Sequence, residues 1–553
     1  METVATNSSA PGRKLHTAGE TTGTWLERNR ARLAFLVILP AFAARLWAAR
    51  GTFLNPDEAL HFRLANQPSL GLAYQASLTN SHPPLLFFLL YFWRALGHSE
   101  IILRLPSVLA GTVFCWIFCQ WMRKVAGELS AFIALLFVAF LPTVVQLGAE
   151  VRQYALLMAF LAAGLYLLDD AFASNSPARM LLSALFLCLA GLSQYSGFLF
   201  IIALGIYALY RIAVQRPPHT LVAAWAAAQA AIFALAVFLY KTHLSRLGGT
   251  AESHPGMRVW LNSYLPRGYF DRAHDHAISF LVGHSFGIFQ YFFGQLAVGD
   301  VMGLLFVVGL ALLFRGSKDV PSAQRLGVLF LCLFAVAAAA GFLRLYPYSS
   351  TRHAAFLAIP AMAAVSIAIA QICSNRWTPA VLATAIILAI CILFSQPRRP
   401  WIPRADQSIA HMSAAMNFIH HNAGPADVIF TDYESDLILG HYLCEQQPIA
   451  LQSEPSGYEQ FQCTGRHVVS LDFRGWSLTA QNFPEEWRRF EQTFPLQPGQ
   501  NVWIFQAGWD TGLPENLRGR YTEFRDLKFE SFGNNIKLFK LAAVQSAVSA
   551  PAN

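Results

Sequence analysis

Two adjacent carboxylates follow the first strongly apolar segment of the chain. They are Asp57 and Glu58, in the stretch RGTFLNPDEALHF that runs from residue 50 to residue 62. Further polar residues lie beside the ends of later apolar segments: His82, Arg104, Glu150, Arg152, Tyr154 and Arg352. A carboxylate can accept a proton from a hydroxyl nucleophile, and arginines or a histidine can hold a phosphate as it leaves. These residue types favour transfer of a group from a phosphate to an acceptor hydroxyl or amine.

A structural interpretation is open for each of these residues taken singly. Asp57 and Glu58 follow Pro56, so they could cap the N-terminus of a helix. The arginines could anchor the ends of membrane spans. Ionisable residues at the rim of an apolar bundle are costly without partners, however. A whole set of them on one face therefore favours a functional interpretation.

The composition predicts a polytopic membrane protein. The 553 residues are 55% hydrophobic and only 13% charged, whereas soluble proteins carry about a quarter charged residues. The net charge of +8 does not indicate nucleic-acid binding, because the basic residues form short clusters between apolar runs. Such clusters set the orientation of a protein in a membrane. We expect membrane lipid, and no nucleic acid, as a partner.

Apolar runs with their flanking charges predict eleven membrane spans. They are 33–49, 104–121, 129–146, 153–168, 180–194, 196–210, 220–240, 299–314, 326–343, 354–373 and 378–394. The basic clusters between them all fall on one side, which identifies that side as cytoplasmic. The tail 1–32 is then cytoplasmic, and Asp57 lies on the outer face in the loop 50–103.

Two segments on the outer side are predicted not to cross the membrane. The apolar run 85–97 is too short to cross a membrane and indicates an interfacial or re-entrant helix. The segment 241–297 is predicted to be a long polar outer loop. Its histidines and the stretch DRAHDH (271–276) fit no standard metal site, so a mobile lid is the preferred interpretation.

The character of the chain changes near residue 399. Short strand-like runs and one helical run predict a small exported α/β domain over 399–553, after a transmembrane domain over 33–398. Cys444 and Cys463 are the two cysteines in this polar region. They could form a disulfide or stay free, because their spacing does not show whether they are close in space.

A series of motifs resembles the GT-C membrane glycosyltransferases. The motifs are DEALHF (57–62), SHPPLLFFLLYFWRALGHSEIILRLPSVLAG (81–111) and AEVRQYALLMAF (149–160). The likeness is greatest to the bacterial branch near the protein mannosyltransferases and the lipid A aminoarabinose transferases, glycosyltransferase families 39 and 83. It covers roughly residues 33–375. The expected fold class is mainly α, a GT-C-type helical bundle with a small C-terminal α/β domain outside the membrane.

The resemblance implies roles for the polar residues listed above. Asp57 matches the catalytic base of an inverting displacement at C1 of the sugar, with Glu58 as its companion. Glu150 matches a second acidic position that orients the acceptor or binds a metal in some members. The candidates for contact with the donor phosphate or for lining the same cavity are His82, Arg104, Arg152, Tyr154 and Arg352.

The resemblance also implies partners and a location. The donor would be a polyprenyl-phosphate sugar, and the acceptor a lipid, a glycan or a protein. Neither the sugar nor a need for a divalent metal ion is specified. The expected location is the bacterial inner membrane, with the N-terminus in the cytoplasm and the C-terminal domain in the periplasm.

The main alternative is a non-enzymatic lipid or solute transporter. A transporter is expected to carry ionisable residues near the middle of the membrane and broken helices in two related halves. Here the predicted spans are nearly free of charge, and the ionisable residues collect at one rim. An inactive relative that serves as a scaffold is a third interpretation, which the presence of Asp57, Glu58 and Glu150 disfavours.

Overall fold

The computed structural model describes most of the chain. The described residues are 29–246, 266–316, 320, 322–395, 407–444, 457–472, 475–497, 500–509, 511–517 and 524–543. Three predictions lie outside them in whole or in part: the tail 1–32 up to residue 28, the part of the predicted lid that includes His254, and the domain boundary at 398–399.

Helices form nearly all of the first part of the chain. The first group is α1 (Arg30–Ala48), α2 (Pro56–Ala65), α3 (Leu70–Ser77), α4 (Leu85–Trp93), α5 (Glu100–Ala126), α6 (Glu128–Phe140), α7 (Pro142–Leu147) and α8 (Tyr154–Ser174). The second group is α9 (Pro177–Ser193), α10 (Ser196–Gln215), α11 (His219–Leu239), α12 (Ala277–Phe293), α13 (Leu296–Arg315), α14 (Ala323–Phe342), α15 (Ala358–Ile372) and α16 (Trp377–Leu393). A 3₁₀ turn, Arg352–Leu357, leads into α15.

The predicted polytopic membrane protein is confirmed. Each of the eleven predicted spans coincides with a helix or a pair of consecutive helices. In the described part of the chain, seven helices are long and apolar enough to cross a membrane, namely α5, α8, α10, α11 with its extension to Leu244, α13, α14 and α15 with its 3₁₀ turn. The run at 85–97 forms the short helix α4 and a 3₁₀ turn, Arg94–Leu96.

The helices alternate between two ends of the bundle, which we call the Asp57 end and the opposite end. At the Asp57 end, Arg104 of α5 and Arg152 before α8 pair with carboxylates of α2. At the opposite end, Asp169 of α8 accepts hydrogen bonds from two helices, α5 and α10. The donors are Trp121 Nε1 at 2.8 Å, Tyr207 OH at 2.9 Å and Arg211 Nη1 at 2.5 Å.

The prediction of one long polar loop over 241–297 is wrong, because helix α12 occupies its second half. Phe280, near the start of α12, packs on Phe342 with ring centroids 5.1 Å apart. Tyr291, near its end, accepts a hydrogen bond of 2.8 Å from Thr143. Both neighbours lie at the Asp57 end, so α12 begins and ends on the same side of the bundle. One face of α12 is buried against α13 and α14, where Phe289 packs on Phe306 and Phe334.

The first predicted span, 33–49, contains a buried arginine. Arg45 of α1 is 0% exposed and donates to the carbonyl oxygens of Val138 (2.7 Å) and Ala139 (3.2 Å). These carbonyls lie near the end of α6, which stops before Pro142 and leaves its last acceptors without intrahelical donors. Arg45 therefore caps a helix end and has a structural role.

The predicted C-terminal α/β region is confirmed. Its elements are α17 (Ile409–Asn422), β1 (Val428–Thr431), α18 (Tyr433–Tyr442), β2 (Tyr458–Cys463), β3 (Arg466–Leu471), α19 (Phe483–Thr493), β4 (Asn501–Ala507), β5 (Phe524–Ser531) and β6 (Ile536–Ala543). The sheet has the order β2-β3-β1-β4-β6-β5, with β3, β1 and β4 parallel. Cys444 and Cys463 form a disulfide, which settles the open question of their pairing.

The C-terminal region packs directly on α2 at the Asp57 end. Arg63 of α2 pairs with Asp436 of α18 at 2.6 Å and with Glu459 of β2 at 3.1 Å. Residues Thr52 and Ser408 form an isolated β-bridge beside it. Helix α2 is therefore held between the transmembrane bundle and the C-terminal region.

Candidate active site

The local sequence determines where helix α2 begins. The side chain of Asn55 accepts a hydrogen bond from the backbone N–H of Glu58, and the carboxylate of Glu58 accepts one from the backbone N–H of Asn55. This is a capping box, with Pro56 at the first helical position, where its missing N–H has no consequence. The signal Asn-Pro-Asp-Glu is visible in the sequence and fixes Asp57 in the first turn of α2.

Glu58 and Arg104 form a buried ion pair beneath this turn. Glu58 is 0% exposed and accepts from Arg104 Nε at 2.7 Å and from Arg104 Nη2 at 2.6 Å. Arg104 donates further to main-chain and hydroxyl oxygens of Ala49, Thr52 and Phe53. All three guanidinium nitrogens thus have partners within the protein. The predicted roles of Glu58 in catalysis and of Arg104 in phosphate binding stay predictions, but these contacts are those of a pair that positions α2.

Asp57 is held by two other arginines. Arg152 Nη1 lies 2.9 Å from Asp57 Oδ2, and Arg352 Nη2 donates a hydrogen bond to the same oxygen. Burial raises the pKa of Asp57, but the charges of Arg152 and Arg352 outweigh burial and hold that pKa well below its usual range. Asp57 is therefore an ionised carboxylate. The structure records no hydrogen bond from a described residue to its other oxygen, Oδ1.

Two histidines that were not among the predicted site residues, His61 and His353, lie near Asp57 and Arg352. His61 was not predicted as a site residue, although its spacing of four from Asp57 places both on one face of α2. Its Nδ1 lies 2.5 Å from the backbone oxygen of Asp57, and its ring stacks on His82 and Phe87 with centroid distances of 5.4 Å. His353, also not predicted, follows Arg352 and lies with its Nδ1 3.4 Å from the hydroxyl of Tyr346.

Burial makes His61 and His82 neutral. It lowers the pKa of His61 to about 3 together with the charge of Arg152, and it lowers the pKa of His82 in the same way. Because Nδ1 of His61 donates to the Asp57 carbonyl, its Nε2 carries the lone pair, and this buried atom has no hydrogen-bond partner among the described residues. His82, a predicted site residue, has its Nδ1 3.3 Å from Gln194 Oε1.

The turn before α8 brings the remaining predicted residues to α2. The backbone N–H of Val151 donates to Glu58 at 2.8 Å, which ties this turn to the cap of α2. Glu150 accepts from Gln146 at 2.8 Å, and burial, with the nearby charge of Glu58, raises the pKa of Glu150. The ring centroid of Tyr154 lies 5.7 Å from Arg152 Cζ. All eight predicted site residues therefore lie at the Asp57 end, with Asp57, Arg152 and Arg352 in direct contact.

The described residues do not contain a ligand set for a metal ion. No group of three or more His, Cys, Asp or Glu side chains within them is placed to share one. In the stretch DRAHDH, His274 pairs with Asp271 at 2.9 Å, and both side chains are exposed to solvent. The need for a divalent metal ion, which the sequence does not specify, is not decided by these contacts.

Two kinds of comparison relate this architecture to known proteins. Residues 81–241 match a family model described as dolichyl-phosphate-mannose-protein mannosyltransferase. The structure of ArnT from Cupriavidus metallidurans bound to undecaprenyl phosphate superposes with a TM-score of 0.54 at 13% identity, over 94% of this chain and 98% of that one. The chain has the GT-C fold. The predicted resemblance to the GT-C glycosyltransferases is thereby confirmed.

Further comparisons agree with the GT-C fold or add nothing to it. The apo structure of the same ArnT gives a TM-score of 0.52 at 12% identity, over 93% of this chain and 98% of that one. An oligosaccharyltransferase from Archaeoglobus fulgidus, tethered to an acceptor peptide, gives a TM-score of 0.47 at 11% identity, over 88% of this chain and 70% of that one. This similarity is too low to support a conclusion about the fold. A search of curated protein sequences gives no match.

Proposed function

We propose that this GT-C protein is a glycosyltransferase that moves a sugar from a polyprenyl phosphate to an acceptor, with Asp57 as the general base. The observation that carries the proposal is the cluster of one ionised carboxylate and two arginines at the Asp57 end of an apolar bundle. Asp57 supplies the basic oxygen, and Arg152 and Arg352 supply the positive charge that a leaving phosphate requires. Undecaprenyl phosphate is the lipid bound to the similar ArnT, which supports a lipid of this class.

The two oxygens of Asp57 suggest how the step proceeds. Oδ2 is occupied by the arginines, so Oδ1 is the oxygen that accepts the proton of the acceptor hydroxyl or amine. The acceptor atom attacks C1 of the sugar from the face opposite the phosphate, and the configuration at C1 inverts. Glu58 and Arg104 act by positioning α2.

We further propose that the Asp57 end faces the outside of the membrane. The basic residues that close the spans support this orientation, because they lie at the opposite end: Arg123, Arg211, Arg315 and Arg376. Labelling of an Arg50→Cys variant in intact cells with a membrane-impermeant maleimide tests the orientation. Labelling only after the membrane is opened contradicts the proposal.

A transfer assay with purified protein and a panel of polyprenyl-phosphate sugars tests the activity. An Asp57→Asn variant should lower turnover by about 100- to 10,000-fold, the usual contribution of a positioned general base. An Asp271→Asn variant removes the same charge from an exposed site and serves as the matched control. Equal turnover of Asp57→Asn and wild type removes Asp57 as the base. Absence of transfer from every donor favours the transporter alternative.

A further inference from the structure

The two arginines that hold Asp57 are the cations proposed above to hold the leaving phosphate. Both contact Asp57 Oδ2, Arg152 at 2.9 Å and Arg352 through a hydrogen bond from Nη2. Arg104, which lies beside the same helix, has its three nitrogens directed at Glu58 and at oxygens of the preceding loop. A phosphate that enters this site therefore meets the same two cations that the Asp57 carboxylate already engages.

Arg152 has hydrogen-bonding capacity that the protein does not use. Its side chain is almost fully buried, yet its Nε has no hydrogen-bond partner among the described residues. An unpaired donor on a buried guanidinium is costly, and a bound anion would satisfy it. Burial and the charge of Arg152 lower the pKa of His61 and of His82, two of the titratable groups beside these arginines, so neither histidine adds a cation.

We propose that Arg152 and Arg352 serve Asp57 and the lipid phosphate in common, so that arrival of the phosphate loosens their hold on Asp57 and turns this carboxylate from an ion-pair partner into a base. The inference rests on the proposed function and deepens it. Without the donor, the ion pairs keep Asp57 a weak base. With the donor, part of the positive charge is withdrawn from Oδ2, and Oδ1 gains the basicity that proton transfer needs.

The charges of the transfer step agree with this sharing. The acceptor oxygen or nitrogen bonds to C1, the bond between C1 and the phosphate oxygen breaks, and its electron pair stays on the phosphate. The acceptor proton moves to Asp57 Oδ1. Before the step, the ionised carboxylate and the phosphodiester each carry one negative charge; after it, Asp57 is neutral and the phosphate monoester carries close to two. The two arginines thus face nearly the same total charge throughout, while the charge itself moves from Asp57 to the phosphate.

Binding of undecaprenyl phosphate, measured apart from catalysis, tests this inference. The full-length chain in detergent is titrated with the lipid and followed by native mass spectrometry, with undecaprenol as the ligand that lacks a phosphate. Asp57→Asn should bind undecaprenyl phosphate about tenfold or more tightly than wild type, because both arginines are then released to the phosphate. Arg352→Met should bind it about tenfold or more weakly, and Asp271→Asn should bind it as wild type does.

Each result separates this inference from the proposed function. If Asp57→Asn binds no more tightly than wild type while Arg352→Met binds more weakly, the phosphate site stands and the sharing of the arginines is refuted. If Arg152→Met and Arg352→Met both bind as tightly as wild type, the proposed phosphate site is itself refuted. Asp57→Ala is the second variant for the case in which Asp57→Asn does not fold, with folding checked by gel filtration. Equal binding of undecaprenol by all variants confirms that the differences arise at the phosphate.

Discussion

Removing the charge of Glu58 should lower the stability of the folded protein, because Glu58 holds helix α2 in place. The Glu58 carboxylate accepts four hydrogen bonds: from Arg104 Nε at 2.7 Å, Arg104 Nη2 at 2.6 Å, Val151 N at 2.8 Å and Asn55 N at 3.0 Å. A Glu58→Gln variant keeps the shape of the side chain but removes the charge and one of the two acceptor oxygens. The guanidinium of Arg104 is then buried without a counter-charge, and the cap of α2 is weakened.

The size of the effect follows from the contacts that remain. Breaking a buried ion pair by removing one partner costs about 3–5 kcal/mol. Arg104 keeps its acceptors on Ala49, Thr52 and Phe53, which reduces the penalty, so we expect a loss of about 2–4 kcal/mol in the free energy of unfolding. The double variant Glu58→Gln/Arg104→Met removes the orphaned charge as well. It should recover about 1–2 kcal/mol of that loss.

Thermal unfolding in detergent measures this difference. A thiol-reactive dye that becomes fluorescent on reaction reports the exposure of the buried cysteines Cys115, Cys119 and Cys391. Asp271→Asn is the control and should melt like wild type, because the Asp271 side chain is exposed to solvent. A Glu58→Gln protein that melts like wild type but has lost transfer activity would show that Glu58 acts in catalysis and that the positioning argument is wrong.

Three further substitutions test other contacts. Arg63→Met should lower the melting temperature and the transfer rate together, since it leaves Asp436 buried without its cation; a normal melting curve with normal transfer would contradict a role for this contact. Gly148→Ala should cost about 1–3 kcal/mol of stability by the same dye assay, because the added Cβ would lie 2.9 Å from Arg45 Nε; a wild-type melting temperature would show that Arg45 moves freely. Cys463→Ser should cost about 3 kcal/mol, and reducing agent should then have no further effect on its melting.

The span pattern and the assembly of the site at one end could be predicted from the sequence. Apolar runs determine where helices lie, and alternation between two ends then brings residues 57, 150 and 352 together. Helix α12 was missed because its seventeen residues, Ala277–Phe293, are short for a span and follow the polar stretch DRAHDH. Length and flanking charge decide whether a segment crosses a membrane, but not whether an apolar helix lies along its rim.

The separate roles of the charged residues, and the partner of each, could not be predicted. Asp57 and Glu58 are adjacent in sequence, yet they point to different partners because successive helical residues lie about 100° apart. Which of three arginines meets which carboxylate depends on the packing of α5, α8 and α15 against α2. The capping box of Asn55 and Glu58 was the local signal for the structural role of Glu58. The spacing of Asp57 and His61 was the signal for the missed histidine.

The ion pair between Arg63 and Asp436 also sets an order of assembly. The two residues are 373 positions apart in the chain, so the region that carries Asp436 is synthesised well after Arg63. At roughly 5–20 residues per second, a ribosome needs roughly 20–75 seconds to reach Asp436 after Arg63 has been made. Throughout that time α2 lacks one of its two supports. The helix that bears Asp57 therefore gains this support only after residue 436 has been synthesised, and a chain that stops before it carries Asp57 without the Arg63–Asp436 pair.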